Sequence, residues 1–114
     1  MEIGEASHGS VLVVSPRGRL DSTTSPAFDQ LVRAKLAQGQ HRIVIDLDQL
    51  DYISSAGLRI LMVLAKALKA ERGQVALCRM TEPVREVFRI SGFDRIFTIL
   101  PTLDESVARV GADR

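Results

Sequence analysis

The sequence predicts one mixed α/β domain over residues 1–114, with a mostly parallel sheet, an antiparallel N-terminal edge strand and the order ββαβαβαβα. Three observations predict it. Short strand-like runs, the continuously apolar Val11–Val14 and Val75–Cys78 and the largely apolar Ile43–Leu47, recur along the chain, as strands covered on both faces require. Segments with helical apolar spacing stand between them, and such alternation implies parallel strands joined by right-handed crossovers. The first two strand-like runs, in contrast, are separated only by Ser7-His8-Gly9-Ser10, a hairpin turn that makes that edge antiparallel.

The elements follow in order. Met1–Ala6 is weakly strand-like, and Val11–Val14 is a buried strand closed by Pro16 and Gly18. Leu20-Asp21-Ser22-Thr23-Thr24 reads as a polar loop. The first helix has Ser25 as its expected N-cap, Pro26 at its first position and Gly39 just past its end, with Phe28, Leu31, Val32 and Leu36 on one stripe. Ile43–Leu47 is the next strand. A second helix runs from about Ala56 to Arg72 and stops at Gly73. Val75–Cys78 is a strand; Thr81 caps a third helix, whose face is Val84, Val87 and Phe88 and whose stop is Gly92. Ile96–Leu100 is the last strand, ended by Pro101. Thr102 and Glu105 have capping-box spacing for a final helix with Val107 and Val110 inward.

Composition narrows the function classes. Hydrophobic content of 46% and charge of 25% are ordinary for a soluble globular protein. A net charge of +1, with no basic run interleaved with aromatics, gives no electrostatic case for nucleic acid or acidic membranes. The N-terminus lacks the pattern of a signal peptide, and the apolar run Ile60–Ala65 is far short of a membrane span. The one cysteine, Cys78, fits a reducing cytoplasm, where the chain is expected to reside as a free monomer. His8 and His41 have no metal-ligand spacing around them. Asp46, Asp48 and Asp51 could together hold magnesium, but turn and cap roles suit them better. No nucleophile–base set and no phosphate loop is present, so an enzyme is not expected.

The informative stretch is Tyr52-Ile53-Ser54-Ser55-Ala56-Gly57-Leu58, read as a loop feeding the second helix. A helix start has free N–H groups and a partial positive charge. It suits a serine cap, or a phosphate on a serine held by the Gly57 and Leu58 N–H groups. Ser55 fits both roles. Gly57 is either tolerated in the first turn or lets backbone or a partner approach Ser55. Further along the helix, Met62 and Val63 point outward with Arg59 and Lys66 as a rim. They form either scattered surface residues or a docking patch.

Three motifs carry a resemblance that spans nearly the whole chain. They are Gly18-Arg19-Leu20-Asp21; Ile43-Val44-Ile45-Asp46-Leu47 followed by Leu50, Tyr52 and Ile53; and Ser54-Ser55-Ala56-Gly57-Leu58. The pattern resembles the STAS domain, specifically the bacterial stand-alone anti-sigma factor antagonists. The resemblance implies phosphorylation at Ser55, with Ser54 as the second candidate. It implies that the unphosphorylated protein binds an anti-sigma factor serine kinase, is released when phosphorylated, and is reset by a serine phosphatase. Asp21, Ser54, Ala56, Gly57, Arg59, Met62, Val63 and Lys66 are the expected contact residues, with Asp21 beside the phosphate. The sequence departs from the family at Ser54, where the family has Asp. Two other functions compete: a STAS subunit of a membrane lipid-transport complex, docking without phosphate, and a small phosphate- or nucleotide-binding enzyme working through Asp46, Asp48 and Asp51.

Overall fold

A computed structural model describes residues 1–112; the last two residues of the expected domain lie outside the described residues. The elements are β1 (Ile3–His8), β2 (Val11–Pro16), β3 (Gly18–Leu20), α1 (Ser25–Ala37), β4 (Arg42–Asp46), β5 (Leu50–Ile53), α2 (Ser55–Ala70), β6 (Gln74–Cys78), α3 (Glu82–Ser91), a 3-10 turn (Phe93–Arg95), β7 (Ile99–Leu100) and α4 (Leu103–Gly111). Five strands form the main sheet in the order β1-β2-β4-β6-β7. The β1–β2 pair is antiparallel, as the short hairpin demands, and the other three pairings are parallel.

The apolar runs are divided residue by residue between two cores, because successive strand side chains point to opposite faces. Leu12, Val14, Ile43, Ile45 and Leu77 join the larger core with Phe28 and Val32 of α1, four leucines of α2, and Val84 and Phe88 of α3. Val11, Val13, Val44, Ala76 and Cys78 face the other way and are covered by Val110 of α4. So α1, α2 and α3 contribute to one core and α4 to the other. In α2, Leu58, Leu61, Leu64 and Leu68 are buried at helical spacing. At about 2 kcal/mol for each buried leucine, this stripe outweighs any single cap in holding the helix.

Three expectations are corrected. The structure adds β3 and β5, which pair in parallel as a small second sheet. Leu20 is therefore the end of a strand rather than part of a loop, and Tyr52 and Ile53 are strand residues. The runs are too short to show a period; their pairing with each other makes them strands, and Leu20, Leu50 and Ile53 are buried there. The last strand begins only at Ile99, because Gly92 in the left-handed region turns the chain into the 3-10 helix first. Finally, Ser25 is the first residue inside α1 and Thr24 occupies the cap position. Ser25 is buried, and its hydroxyl has no partner among the described residues.

Candidate functional site at the start of α2

The start of α2 is built on Ser54. Its backbone is extended (φ −95°, ψ 175°), and its hydroxyl accepts the Gly57 N–H at 3.2 Å. Its carbonyl accepts the Leu58 N–H at 2.9 Å, the first helical bond, and its own N–H donates to the Leu20 carbonyl at 2.9 Å. Every polar group of Ser54 is thus engaged. Ser54, not Ser55, is the N-cap, because a cap residue must combine an extended backbone with a carbonyl that accepts the first helical bond. The Gly57 and Leu58 N–H groups expected to hold a phosphate are occupied by Ser54 as well.

Ser55 is the first helical residue. It is exposed, and its hydroxyl makes no hydrogen bond among the described residues. Ala56 is half-buried and Gly57 is buried. A Cβ on Gly57 would lie 2.5 Å from the Leu20 carbonyl oxygen and 2.8 Å from Ile53 Cγ1. Gly57 is therefore explained by α2 pressing against the end of β3, and its burial removes it from the surface offered to a partner.

The neighbouring turn holds Asp21. Its carboxylate accepts the Thr23 and Thr24 N–H groups at 3.0 and 3.1 Å, while the Asp21 carbonyl accepts the Ser25 N–H at 2.8 Å. The Thr24 N–H chiefly, against an opposing effect of partial burial, holds the Asp21 carboxyl below its ordinary range. The bond from Ser54 to Leu20 sets this turn against the start of α2. Two further residues were not singled out as site residues in the sequence. The Arg19 guanidinium lies 4.2 Å from the centre of the Tyr52 ring and 3.5 Å from Asp21. Both side chains are substantially exposed. The β3–β5 register sets Arg19 opposite Tyr52, a juxtaposition visible only once those strands are known to pair.

At about 100° per residue, Arg59, Met62, Val63 and Lys66 fall within roughly 100° of arc around Ser55. Arg59, Val63 and Lys66 are exposed and Met62 is half-buried. The outward placement expected of Met62 is therefore only partly met, and Val63, at 37% exposure, is the more accessible apolar residue. The result is a strip of mixed charge and aliphatic character, not a cavity. Clefts of about 330 and 390 Å3 lie elsewhere, the first lined by Arg79, Arg85 and Asp94 and the second by Lys69, Arg72 and Phe97.

Of the carboxylates considered for magnesium, Asp46 and Asp48 are paired with Arg79, while Asp51 is exposed. Asp46 is buried and accepts two bonds from Arg79, at 3.0 and 2.5 Å, plus the Asp48 N–H at 3.3 Å. Among the described residues no three His, Cys, Asp or Glu side chains are grouped to hold a metal ion. Cys78 is buried, and burial pushes its thiol up to about 11, so it packs as a small apolar residue. Among the described residues no helix is long and apolar enough to cross a membrane.

Comparison with known proteins gives the same frame. The STAS domain family model matches residues 5–106. BtrV of Bordetella bronchiseptica, named as an anti-sigma factor antagonist, is 38% identical over 98 residues, covering 86% of this chain and 84% of BtrV. An anti-sigma factor antagonist from Mycobacterium paratuberculosis has a crystal structure that superposes with a TM-score of 0.87 at 31% identity, over 97% of this chain and 94% of that one. The Bacillus cell fate determinant SpoIIAA, solved in its phosphorylated form, shares the fold at a TM-score of 0.72 and 21% identity, over 96% of this chain and 99% of that one. With the β3-to-α2 junction and the flanking strands all in place, the chain belongs to the STAS domain family.

Proposed function

We propose that this protein is an anti-sigma factor antagonist that works as a binding module, without catalysis of its own and without a bound cofactor. In the unphosphorylated state it binds an anti-sigma factor serine kinase through Ser55, Ala56, Arg59, Met62, Val63 and Lys66. The kinase transfers a phosphoryl group from ATP to the Ser55 oxygen: the O–P bond forms, the bond to the ADP oxygen breaks, and the hydroxyl proton leaves. The complex then separates, and a serine phosphatase hydrolyses the ester to restore the hydroxyl.

The observation that carries this reading is the division of labour between the two serines. Ser54 is tied down as the cap, while Ser55 is exposed with a free hydroxyl at the head of the Arg59–Lys66 strip. This favours Ser55 over Ser54 as the modified residue. The cap is supplied by Ser54, so the helix start does not require the family's Asp at that position. The relatives named as anti-sigma factor antagonists support the partner class. A phosphate adds about −1.5 to −2 charges to a surface that must be desolvated on docking. A penalty of only about 3 kcal/mol lowers affinity more than a hundredfold, so no refolding is needed.

The test is intact-mass spectrometry with site mapping on protein from its native cells, before and after phosphatase treatment, with Ser55→Asp and Ser55→Ala used as baits. One phosphate on Ser55, with kinase captured by Ser55→Ala and not by Ser55→Asp, is the expected result. Phosphate on Ser54 alone would move the switch to the residue that caps the helix and contradict the assignment. Absence of phosphate together with co-purification of an ATP-binding cassette transporter would replace this reading with the lipid-transport subunit.

A further inference from the structure

We propose that Arg59 captures the phosphate on Ser55 within the same chain, so that one side chain serves the docking strip when Ser55 is free and is withdrawn from it when Ser55 is phosphorylated. This rests on the phosphorylation reading above and adds to it a residue that reads the phosphorylated state.

Arg59 follows Ser55 by four residues in α2, so their Cβ atoms stand about 6 Å apart on one face. Long side chains on a helix lean back toward its N-terminus, which aims the guanidinium of Arg59 at Ser55 rather than away from it. Arg59 is exposed and has no ion pair or hydrogen bond among the described residues. Its guanidinium matches a phosphate with two parallel N–H donors, which a lysine cannot do.

The other charged groups around the helix start do not compete. From β3 and its turn, Arg19 is held by Asp21 and stacked on Tyr52, and the Asp21 carboxylate is held by the Thr23 and Thr24 N–H groups. From β5, Asp51 is an exposed carboxylate and Tyr52 carries Arg19. On α2 itself, Lys66 lies eleven residues beyond Ser55, about 16 Å along the axis. Arg59 is thus the cation with both reach and freedom. Neutralising part of the phosphate locally also removes Arg59 from the strip, so phosphorylation adds an unfavourable charge and subtracts a favourable contact in one step.

The experiment needs no partner protein. Phosphoserine is installed at position 55 during translation, and the phosphate is titrated by 31P NMR in the otherwise wild-type chain and in Arg59→Gln and Arg59→Lys. The second phosphate pKa is expected to be lower by about 0.2–0.4 pH unit with Arg59 than with Gln, and Lys is expected to recover only part of that shift. Thermal unfolding gives the independent readout. The phosphorylated chain should melt above the unmodified one, that gain should disappear in Arg59→Gln, and the same substitution in unmodified protein should leave the Tm in place. Equal phosphate pKa values in all three proteins would overturn the capture by Arg59 while leaving phosphorylation of Ser55 intact. Absence of Ser55 phosphate in native cells would sink the phosphorylation reading instead, and the two failures are therefore distinguishable.

Discussion

Replacing Gly57 by alanine pits helix propensity against packing, and the structure predicts that packing wins. The added Cβ would lie 2.5 Å from the Leu20 carbonyl oxygen, 3.1 Å from the Leu20 carbonyl carbon and 2.8 Å from Ile53 Cγ1. Ile53 is buried and cannot swing away, and the Leu20 carbonyl is held in place by the Ser54 N–H. Overpacking a close-packed site costs about 1–3 kcal/mol, and an obstacle made of backbone puts this site at the upper end. Moving α2 off β3 also weakens the Ser54–Leu20 hydrogen bond, worth about 1 kcal/mol. Against this, alanine gains about 1 kcal/mol over glycine within a helix. The net loss is about 3 kcal/mol, or about 12 °C in Tm for a domain of this size. Circular dichroism melts and urea titrations of wild type and Gly57→Ala measure it directly. A variant melting within about 2 °C of wild type, or above it, would refute the claim that the first turn of α2 is pinned to Leu20.

The two serines separate by stability as well as by chemistry. Ser54→Ala removes the cap and is expected to lose about 1 kcal/mol, whereas Ser55→Ala should leave the urea midpoint in place; equal losses would reverse the cap assignment. Asp21 sets a pH test. Its carboxyl lies below its ordinary value of 3.8 in the folded protein, so its contribution is present above that pH and is lost as pH falls through the folded value. Asp21→Asn should therefore melt lower than wild type at pH 7, with the gap closing below pH 3.8; a gap constant with pH would remove the charge from the account. Cys78 titrates at about 11 against an ordinary 9.0, so the folded chain retains the thiol proton through that window and loses stability from this group as pH rises across it. Alkylation at pH 8 should be slow in the native protein and fast in guanidinium, and equal rates would contradict its burial.

Legibility from the sequence followed the length of each signal. Val11–Val14 and Ile43–Leu47 are long enough to announce strands covered on both sides, and the structure splits them between two cores. Pro26, Gly39 and Gly92 punctuate helices through backbone restrictions that tertiary contacts seldom override. Thr102 caps the last helix as expected, its Oγ1 accepting the Glu105 N–H at 3.1 Å, while the Glu105 carboxylate accepts the Thr102 hydroxyl at 2.9 Å rather than the Thr102 N–H. What escaped was set by pairing across the chain. The three residues of β3 and the four of β5 carry no readable period alone and become strands only because each supplies the other's partner. The Arg19–Tyr52 stack escaped for the same reason.

The cap error has a different physical origin, and it changes the functional argument. Two adjacent serines before an apolar helical pattern both satisfy the composition rule for a cap, so the sequence cannot choose between them. The choice is made by the Leu20 carbonyl, which takes the Ser54 N–H and leaves Ser54 extended at the end of β5. Once Ser54 is the cap, Ser55 is left without a structural duty, and its hydroxyl can be modified without dismantling the helix start. The same contact excludes a Cβ at Gly57. One carbonyl at the end of a three-residue strand thus selects the cap, requires the glycine and frees the serine, linking the fold of this chain to the residue on which its proposed switching depends.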